Sequence, residues 1–305
     1  MRILVVGAGA TGGYFGGRLA QAGRDVTFLV RAGRKAQLEE TGLQIVSPHG
    51  DVTLAPQLVT VETLAESFDL VLLTVKAFSL QAALDDVAKA VGPGTMILPV
   101  LNGMRHVEII AARFGANALL GGVARIAGTL DAEGRVRHLA PFQELIYGEI
   151  DGSASARLAQ VDAVMQGAVF DARTSENIVH EMWLKWVFLA SLGGITCLLR
   201  GTVGEIEAAG GAGLATGFVD ELVAIATAVG QVPSEKYVAA TKAALTVKGS
   251  ALTASMYRDL QAGFRLEDVE ILGDLLTLAQ RHHVAAPLLT AARVQLAVNQ
   301  ARGGR

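Results

Sequence analysis

The sequence predicts an α/β domain followed by an all-helical one. Three observations carry this expectation: strand and helix patterns alternate through the first half, a glycine loop joins the first strand to the first helix, and helical spacing dominates from Glu176 onward. Arg2-Ile3-Leu4-Val5-Val6 reads as a buried strand. It runs into Gly7-Ala8-Gly9-Ala10-Thr11-Gly12, a G-x-G-x-x-G loop, and Tyr14, Phe15, Leu19 and Ala20 then recur with helical spacing. Strand, glycine turn and helix in that order are the fingerprint of a Rossmann-like, dinucleotide-binding βαβ unit. Gly7 permits the tight turn, Gly9 lets the backbone approach a pyrophosphate, and Gly12 lets helix and strand pack closely. The helix start then offers N–H groups to phosphate.

The remaining elements follow in order. Asp25–Val30 is a second strand. Asp69–Val75 and Thr95–Leu101 are continuous apolar runs of the kind found in parallel sheets, the latter made irregular by Pro99. Residues 79–91 carry a helical pattern through Leu80, Ala83, Leu84 and Val87. Residues 42–60 read as a β excursion around Pro48-His49-Gly50. Residues 123–130 and 135–139 read as a hairpin about Asp131-Ala132-Glu133-Gly134. The expectation is an α/β sheet extended by antiparallel strands. Composition shifts near residue 172, and the helices expected beyond it span 177–199, 203–229, 234–247, 251–262, 266–283 and 287–301. Breakers stand at Gly201, Gly210-Gly211, Gly230 to Pro233, Gly249, Gly263 and Pro287. Two domains result, 1–172 for the dinucleotide and 173–305 for substrate and catalysis.

Composition narrows the function classes. The chain has 305 residues, 51% of them hydrophobic and only 18% charged, so a large core is available. Net charge is −3 and no Lys/Arg block occurs, which argues against nucleic acid as a partner. The single cysteine, Cys197, excludes an intrachain disulfide and suits a reducing cytoplasm; its apolar neighbours make it an inert core thiol. Glycines between Gly7 and Gly17 break the N-terminal apolar run, so it does not read as a signal peptide, and no stretch reads as a membrane span. The expected location is cytoplasmic, with no membrane partner. The histidines show no metal spacing, and adjacent His282 and His283 point apart on a helix, so no metal is expected.

Several polar residues stand where chemistry is expected. Arg31 ends the second strand, with Arg34 and Lys35 behind it. Basic charge there accommodates the 2′-phosphate of NADP(H), where an acidic residue would accept the ribose hydroxyl of NAD; the plainer reading is a solvated basic loop. Lys76 and Asn102 each follow the C-terminal end of an apolar strand, where ligands of open α/β sheets bind, although Asn102-Gly103 also suits a simple turn. Lys185 lies in the apolar run Met182–Ala190. Desolvation there lowers a lysine's pKa and makes it a usable proton donor, unless its head snorkels to water. Ser255 and Arg258 belong to the polar cluster Ser255-Met256-Tyr257-Arg258-Asp259, and Glu267 opens a helix. Capping and solvation are the plainer readings of Ser255 and Glu267.

Taken together the motifs resemble the ketopantoate reductases (2-dehydropantoate 2-reductases) and their paralogues over essentially the full length. The resemblance implies that Gly7, Ala8, Gly9, Ala10, Thr11 and Gly12 hold the cofactor with Arg31 and Lys76. Leu101-Asn102-Gly103-Met104 is similar to the family's Asn-Gly-Met segment near the nicotinamide, so Asn102 touches cofactor and substrate. Trp183-Leu184-Lys185 matches a Trp-x-Lys motif whose lysine is the general acid. Ser255-Met256 followed by Asp259 and Glu267 matches a stretch whose serine binds substrate and whose glutamate lies by the reacting centre. The implied reaction is NADPH-dependent reduction of a small-molecule 2-oxo acid, with Lys185 and Glu267 catalytic and Asn102, Lys185 and Ser255 on the substrate; Arg258, in the same polar cluster, is a further substrate-binding candidate.

The sequence also departs from the family. One and two turns after the lysine, where the pantoate enzymes carry substrate-binding asparagines, stand Leu189 and Gly193. A less polar 2-oxo acid, or one held by Ser191 or Arg258, fits that change. Two rival readings remain open: another NADP-linked hydroxyacid or opine-type dehydrogenase, and a non-catalytic NADP(H)-sensing module. The apolar helical half suits either a homodimer interface or helices that pack only on one another.

Overall fold

The computed structural model describes residues 1–302. They form two compact units, Met1–Leu101 with His106–Glu181, and Asn102–Arg105 with the chain from Met182 onward.

In chain order the first part holds β1 (Arg2–Val6), α1 (Ala10–Gln21), β2 (Asp25–Leu29), α2 (Ala32–Thr41), β3 (Leu43–Val46), β4 (Val52–Leu54), β5 (Gln57–Val59), β6 (Leu70–Leu73), α3 (Leu80–Asp86), β7 (Met96–Pro99), α4 (Arg105–Phe114), β8 (Gly121–Leu130), β9 (Val136–Gly148), α5 (Ala156–Met165) and β10 (Asp171–Thr174). One sheet runs β5-β2-β1-β6-β7, and every pairing in it is parallel. The chain moves outward from β1 to β2 and β5, then returns to β6 on the other side of β1. Strand order therefore reverses beside β1, at the point where such sheets bind ligands. The continuous apolar runs are explained by two-sided burial. Ile3, Val5, Leu70 and Leu72 join one core with Tyr14, Phe15 and Leu19, while Leu4, Val6, Val71 and Leu73 join another with Leu80, Leu84 and Ile110. The helix expected over 79–91 is shorter, with single 3₁₀ turns at Ala77–Ser79 and Ala88–Ala90 on either side of α3.

The antiparallel strands are present, but they do not extend this sheet. They build a second one, β10-β9-β3-β4 with β8 along β9. The long β8–β9 hairpin is antiparallel, whereas β3 and β10 pair with β9 in parallel. Of the excursion at 42–60, β3 and β4 form a hairpin in the second sheet and β5 crosses to the first. At the opposite edge Pro99 ends β7, Ile97 bridges Leu119, and Gly122 of β8 packs against Pro99, where a Cβ would lie 2.4 Å from the carbonyl oxygen. Strand β10 straddles the division expected at 172/173; the changeover between compact units comes at Glu181/Met182.

Both sheets meet on α1. A Cβ on Gly16 would lie 2.8 Å from Val5 and 2.7 Å from Phe28, while one on Gly13 or Gly17 would meet Val136 at 2.8 Å or Ile45 at 2.7 Å. Glycine inside a helix costs about 1 kcal/mol relative to alanine. Here the missing side chain is what lets one helix be covered from two sides.

The second part comprises α6 (Ile178–Leu199), α7 (Val203–Ala208), α8 (Ala212–Ala228), α9 (Glu235–Ala244), α10 (Ser255–Gln261), a π-helical turn at Val269–Gly273 running into α11 (Asp274–Arg281), and α12 (Pro287–Ala301). The helix expected over 203–229 is broken at Gly210-Gly211, with Gly210 at φ +82°. The one expected over 266–283 carries the π turn, which periodicity does not announce. Helix α6 is long and apolar enough to pass a membrane-span test by composition, and 67% of its apolar window is buried within the protein. Core helices pass the same test.

Candidate functional site

The glycine loop forms as its residue types require. Gly7 has φ +96°, a left-handed conformation that disfavours any side chain. A Cβ on Gly12 would fall 2.1 Å from the Gly7 carbonyl oxygen and 2.3 Å from Thr74 Oγ1, so helix and loop touch there backbone to backbone. Gly9 differs, since nothing lies within 4 Å of where its Cβ would be. It is the N-cap of the 12-residue α1 and supplies no capping side chain. The first N–H groups of α1 thus face an open cradle, which fits a pyrophosphate.

Two neighbours hold the loop. Thr74 Oγ1, just past β6, donates to Val6 O at 2.8 Å and lies 3.2 Å from Gly7 O. Arg34 donates from Nε and Nη2 to Ala8 O at 3.2 and 2.9 Å, and partial burial lowers its pKa. Arg31 is exposed at the end of β2, where it is the N-cap of α2, and Lys76 is exposed beyond β6. Cationic side chains therefore gather at the strand ends around the cradle. Thr74 and the Arg34–Ala8 contact escaped the sequence reading. A hydroxyl closing an apolar strand was the available signal for Thr74.

The helical unit gathers a second set. Asn102, one residue beyond Leu101, belongs to it, and its Nδ2 donates to Glu267 Oε2 at 3.5 Å across 165 residues of chain. Glu267 is buried and immediately precedes the helix that holds the π turn. Gly103 has φ +79°, and a Cβ there would come within 2.8 Å of Glu270 O. Asn102-Gly103 is thus a bend in the chain as well as a site candidate. Lys185 is half-buried on α6 between Trp183 and Trp186, whose rings lie 4.8 Å apart. Ser255 is the first residue of α10, while the N-cap is Ala254, so Ser255 is not the cap. One turn on, Arg258 Nη1 donates to Thr253 O at 3.1 Å, and burial of its guanidinium lowers the pKa.

Two family models match, "Ketopantoate reductase PanE/ApbA" over residues 3–152 and "Ketopantoate reductase PanE/ApbA C terminal" over 177–298. The chain belongs to the ketopantoate reductase family. It is 33% identical over 302 residues to the uncharacterized oxidoreductase YkpB of Bacillus subtilis (strain 168), which covers 99% of each chain. It is 27% identical over 295 residues, 95% of each chain, to a 2-dehydropantoate 2-reductase of Halobacterium salinarum. Among solved structures, the 2-dehydropantoate 2-reductase of Geobacter metallireducens GS-15 superposes with a TM-score of 0.89 at 30% identity, covering 98% of this chain and 99% of that one. A D-mandelate dehydrogenase shares the fold, with a TM-score of 0.89 at 21% identity and 99% of each chain covered. This chain is an oxidoreductase of the ketopantoate reductase family.

Within that family the departures on α6 have a structural counterpart. A Cβ on Gly193 would come within 3.0 Å of Met256 Cε and 3.7 Å of Ala254 Cβ. The room a side chain at 193 would need is occupied by a methionine methyl. Leu189 is half-buried one turn earlier. Ser191 is fully buried, and its Oγ has no hydrogen-bond partner among the described residues, so it is closed to a ligand from solvent. Of the two alternative substrate holders, Ser191 is thus buried and Arg258 is half-buried.

Proposed function

We propose that this protein reduces a 2-oxo acid to the 2-hydroxy acid with NADPH as reductant. The observation that carries the reading is the Asn102–Glu267 contact, which brings the segment after β7 onto the helical unit that holds Lys185, Ser255 and Arg258. The cradle at Gly7–Gly12 would hold the pyrophosphate, with Arg31 and Lys76 supplying cationic partners for the 2′-phosphate. When bound, NADPH supplies a hydride. Lys185 gives its proton to the substrate oxygen as negative charge develops there. Asn102 and Glu267 hold substrate and lysine in geometry, and Ser255 with Arg258 grips the carboxylate.

Leu189 and the Gly193–Met256 contact favour a 2-oxo acid with an apolar side chain over ketopantoate. Losing one polar contact to a substrate hydroxyl costs about 1–3 kcal/mol. The test is a steady-state comparison of kcat/KM for ketopantoate and bulkier apolar 2-oxo acids, with NADPH and NADH in parallel. Higher kcat/KM for the apolar acids with NADPH is expected. A clear preference for ketopantoate overturns the substrate reading, equal use of NADH overturns the Arg31 reading, and no turnover with any 2-oxo acid overturns the function.

A further inference from the structure

The π turn at Val269–Gly273 is tied down at its start and along its length. At its start Asp268, 1% exposed, places Oδ2 2.8 Å from Arg293 Nη1 on α12 and accepts from Gln300 Nε2 at 3.0 Å on Oδ1. Within the turn the buried indole N–H of Trp186 donates to Ile271 O at 2.9 Å. On another side Gly103 presses its backbone against Glu270 O, with no room for a Cβ. Glu267 stands directly before this turn, and its carbonyl accepts from Ile271 N at 2.9 Å. Trp186 follows Lys185 on α6. One hydrogen bond therefore links the helical turn that carries the lysine to the turn that sets the carboxylate facing Asn102.

A π turn inside an α-helix is uncommon and is kept mostly at functional sites, because it redirects carbonyls and side chains that a regular helix would stack. Here it presents the Ile271 carbonyl to a side chain of another helix. We propose that Trp186 is a positioning residue for the reaction, acting through Ile271 O to hold the π turn so that Glu267, Asn102 and Lys185 share one geometry. The inference rests on the 2-oxo acid reductase reading. Trp186 itself touches neither substrate nor cofactor in this scheme. Its replacement alters the alignment of the groups that do, and a misplacement of about 1 Å at a reacting centre can cost on the order of 10²-fold in rate.

Two variants perturb the turn through different residues. Trp186→Phe keeps a ring against Trp183 and removes the N–H. Gly103→Ala leaves the indole in place and pushes a methyl at Glu270 O from a backbone with φ +79°. Each is compared with wild type for NADPH-binding stoichiometry, kcat, KM and the pH profile of kcat/KM. The expected result for both is a kcat lowered roughly ten- to a hundredfold per cofactor-binding site, with KM changed by no more than about twofold and the limbs of the pH profile displaced. If the loss merely follows a fall in cofactor-binding sites, or if kcat per site stays at the wild-type value, the positioning role is overturned. Should Trp186→Phe fail to fold, Trp186→Tyr, which also lacks the indole N–H, takes its place, with Gly103→Ala as the independent perturbation of the turn. Failure of the wild-type enzyme to reduce any 2-oxo acid is a separate result and refutes the underlying function instead.

Discussion

Alanine at two glycines of the same loop is expected to have opposite consequences. At Gly12 an added Cβ would stand 2.1 Å from Gly7 O and 2.3 Å from Thr74 Oγ1. Ordinary contact begins near 3.4 Å, so roughly 1.3 Å of relief is needed in a close-packed region. Gly7 cannot supply it freely, because its N–H is bonded to Leu29 O at 3.0 Å and its φ is +96°. Overpacking of this kind costs about 1–3 kcal/mol. For a unit of this size that lowers Tm by roughly 2–12 °C. At Gly9 an added Cβ meets nothing within 4 Å, and φ −83° suits alanine. Stability should hold or rise by about 0.4–1 kcal/mol, since alanine has less unfolded-state freedom to lose. The methyl would instead fill the cradle and weaken NADPH binding by on the order of ten- to a hundredfold, or about 1.4–2.8 kcal/mol. Thermal melts and a nicotinamide-fluorescence titration on both variants separate the two effects. Wild-type affinity in Gly9→Ala would refute the cradle, and an unchanged Tm in Gly12→Ala would refute the close-packing argument.

Other perturbations follow from the same geometry. Lys185→Ala should lower kcat about 10²–10⁴-fold while NADPH binding by fluorescence is retained; parallel loss of both would mark a structural lysine. Gly193→Asn alone requires Met256 Cε, 3.0 Å from the new Cβ, to move aside. In a Met256→Ala background it should be tolerated and should raise kcat/KM for ketopantoate relative to an apolar 2-oxo acid. His138 is buried between Ser47, whose Oγ lies 2.9 Å from Nδ1, and Phe142 O, which accepts from Nε2 at 3.0 Å. Burial, with His49 and Arg18 nearby, holds its pKa below the usual histidine value. Its neutral form contributes stability that is fully present above about pH 6.5 and is lost as pH falls through the lower folded value. Tm measured from pH 8 to 5 should therefore fall more steeply in wild type than in His138→Asn. Glu270 has a raised pKa, from burial first and then from Glu267, Asp274 and Asp268. Its contribution to stability is present below the unfolded value near 4.3 and is lost as pH rises through the folded one, so Glu270→Gln should raise Tm at pH 7 and leave it unchanged at pH 4.

Much of the candidate site was legible because it is local. The loop Gly7–Gly12 is contiguous, and its glycines announce a backbone that excludes side chains. Arg31, Lys76 and Asn102 were singled out as candidates by their place after apolar runs, and a run buried on both faces is recognisable without knowing its partners. The helical half was readable from periodicity and breakers, although Gly210-Gly211 splits the single helix expected over 203–229. Other features left no local trace. The π turn occupies a stretch whose spacing reads as ordinary helix. Ser191 looks like an available hydroxyl in sequence and is sealed in the core. Arg34 looks like a solvated loop cation, yet it bonds Ala8 O.

By itself the sequence determined a glycine-loop α/β half, a helical half after it, and the residue types of a dinucleotide-linked reduction. Each of these is written in a few neighbouring positions, where periodicity and backbone sterics act. Only the tertiary structure decided that the antiparallel strands form a second sheet, that Asn102 meets Glu267 across 165 residues, and that Met256 occupies the room beside Gly193. Those outcomes depend on which distant surfaces bury one another. A strand's pattern shows that it is covered, and only the packed chain shows what covers it.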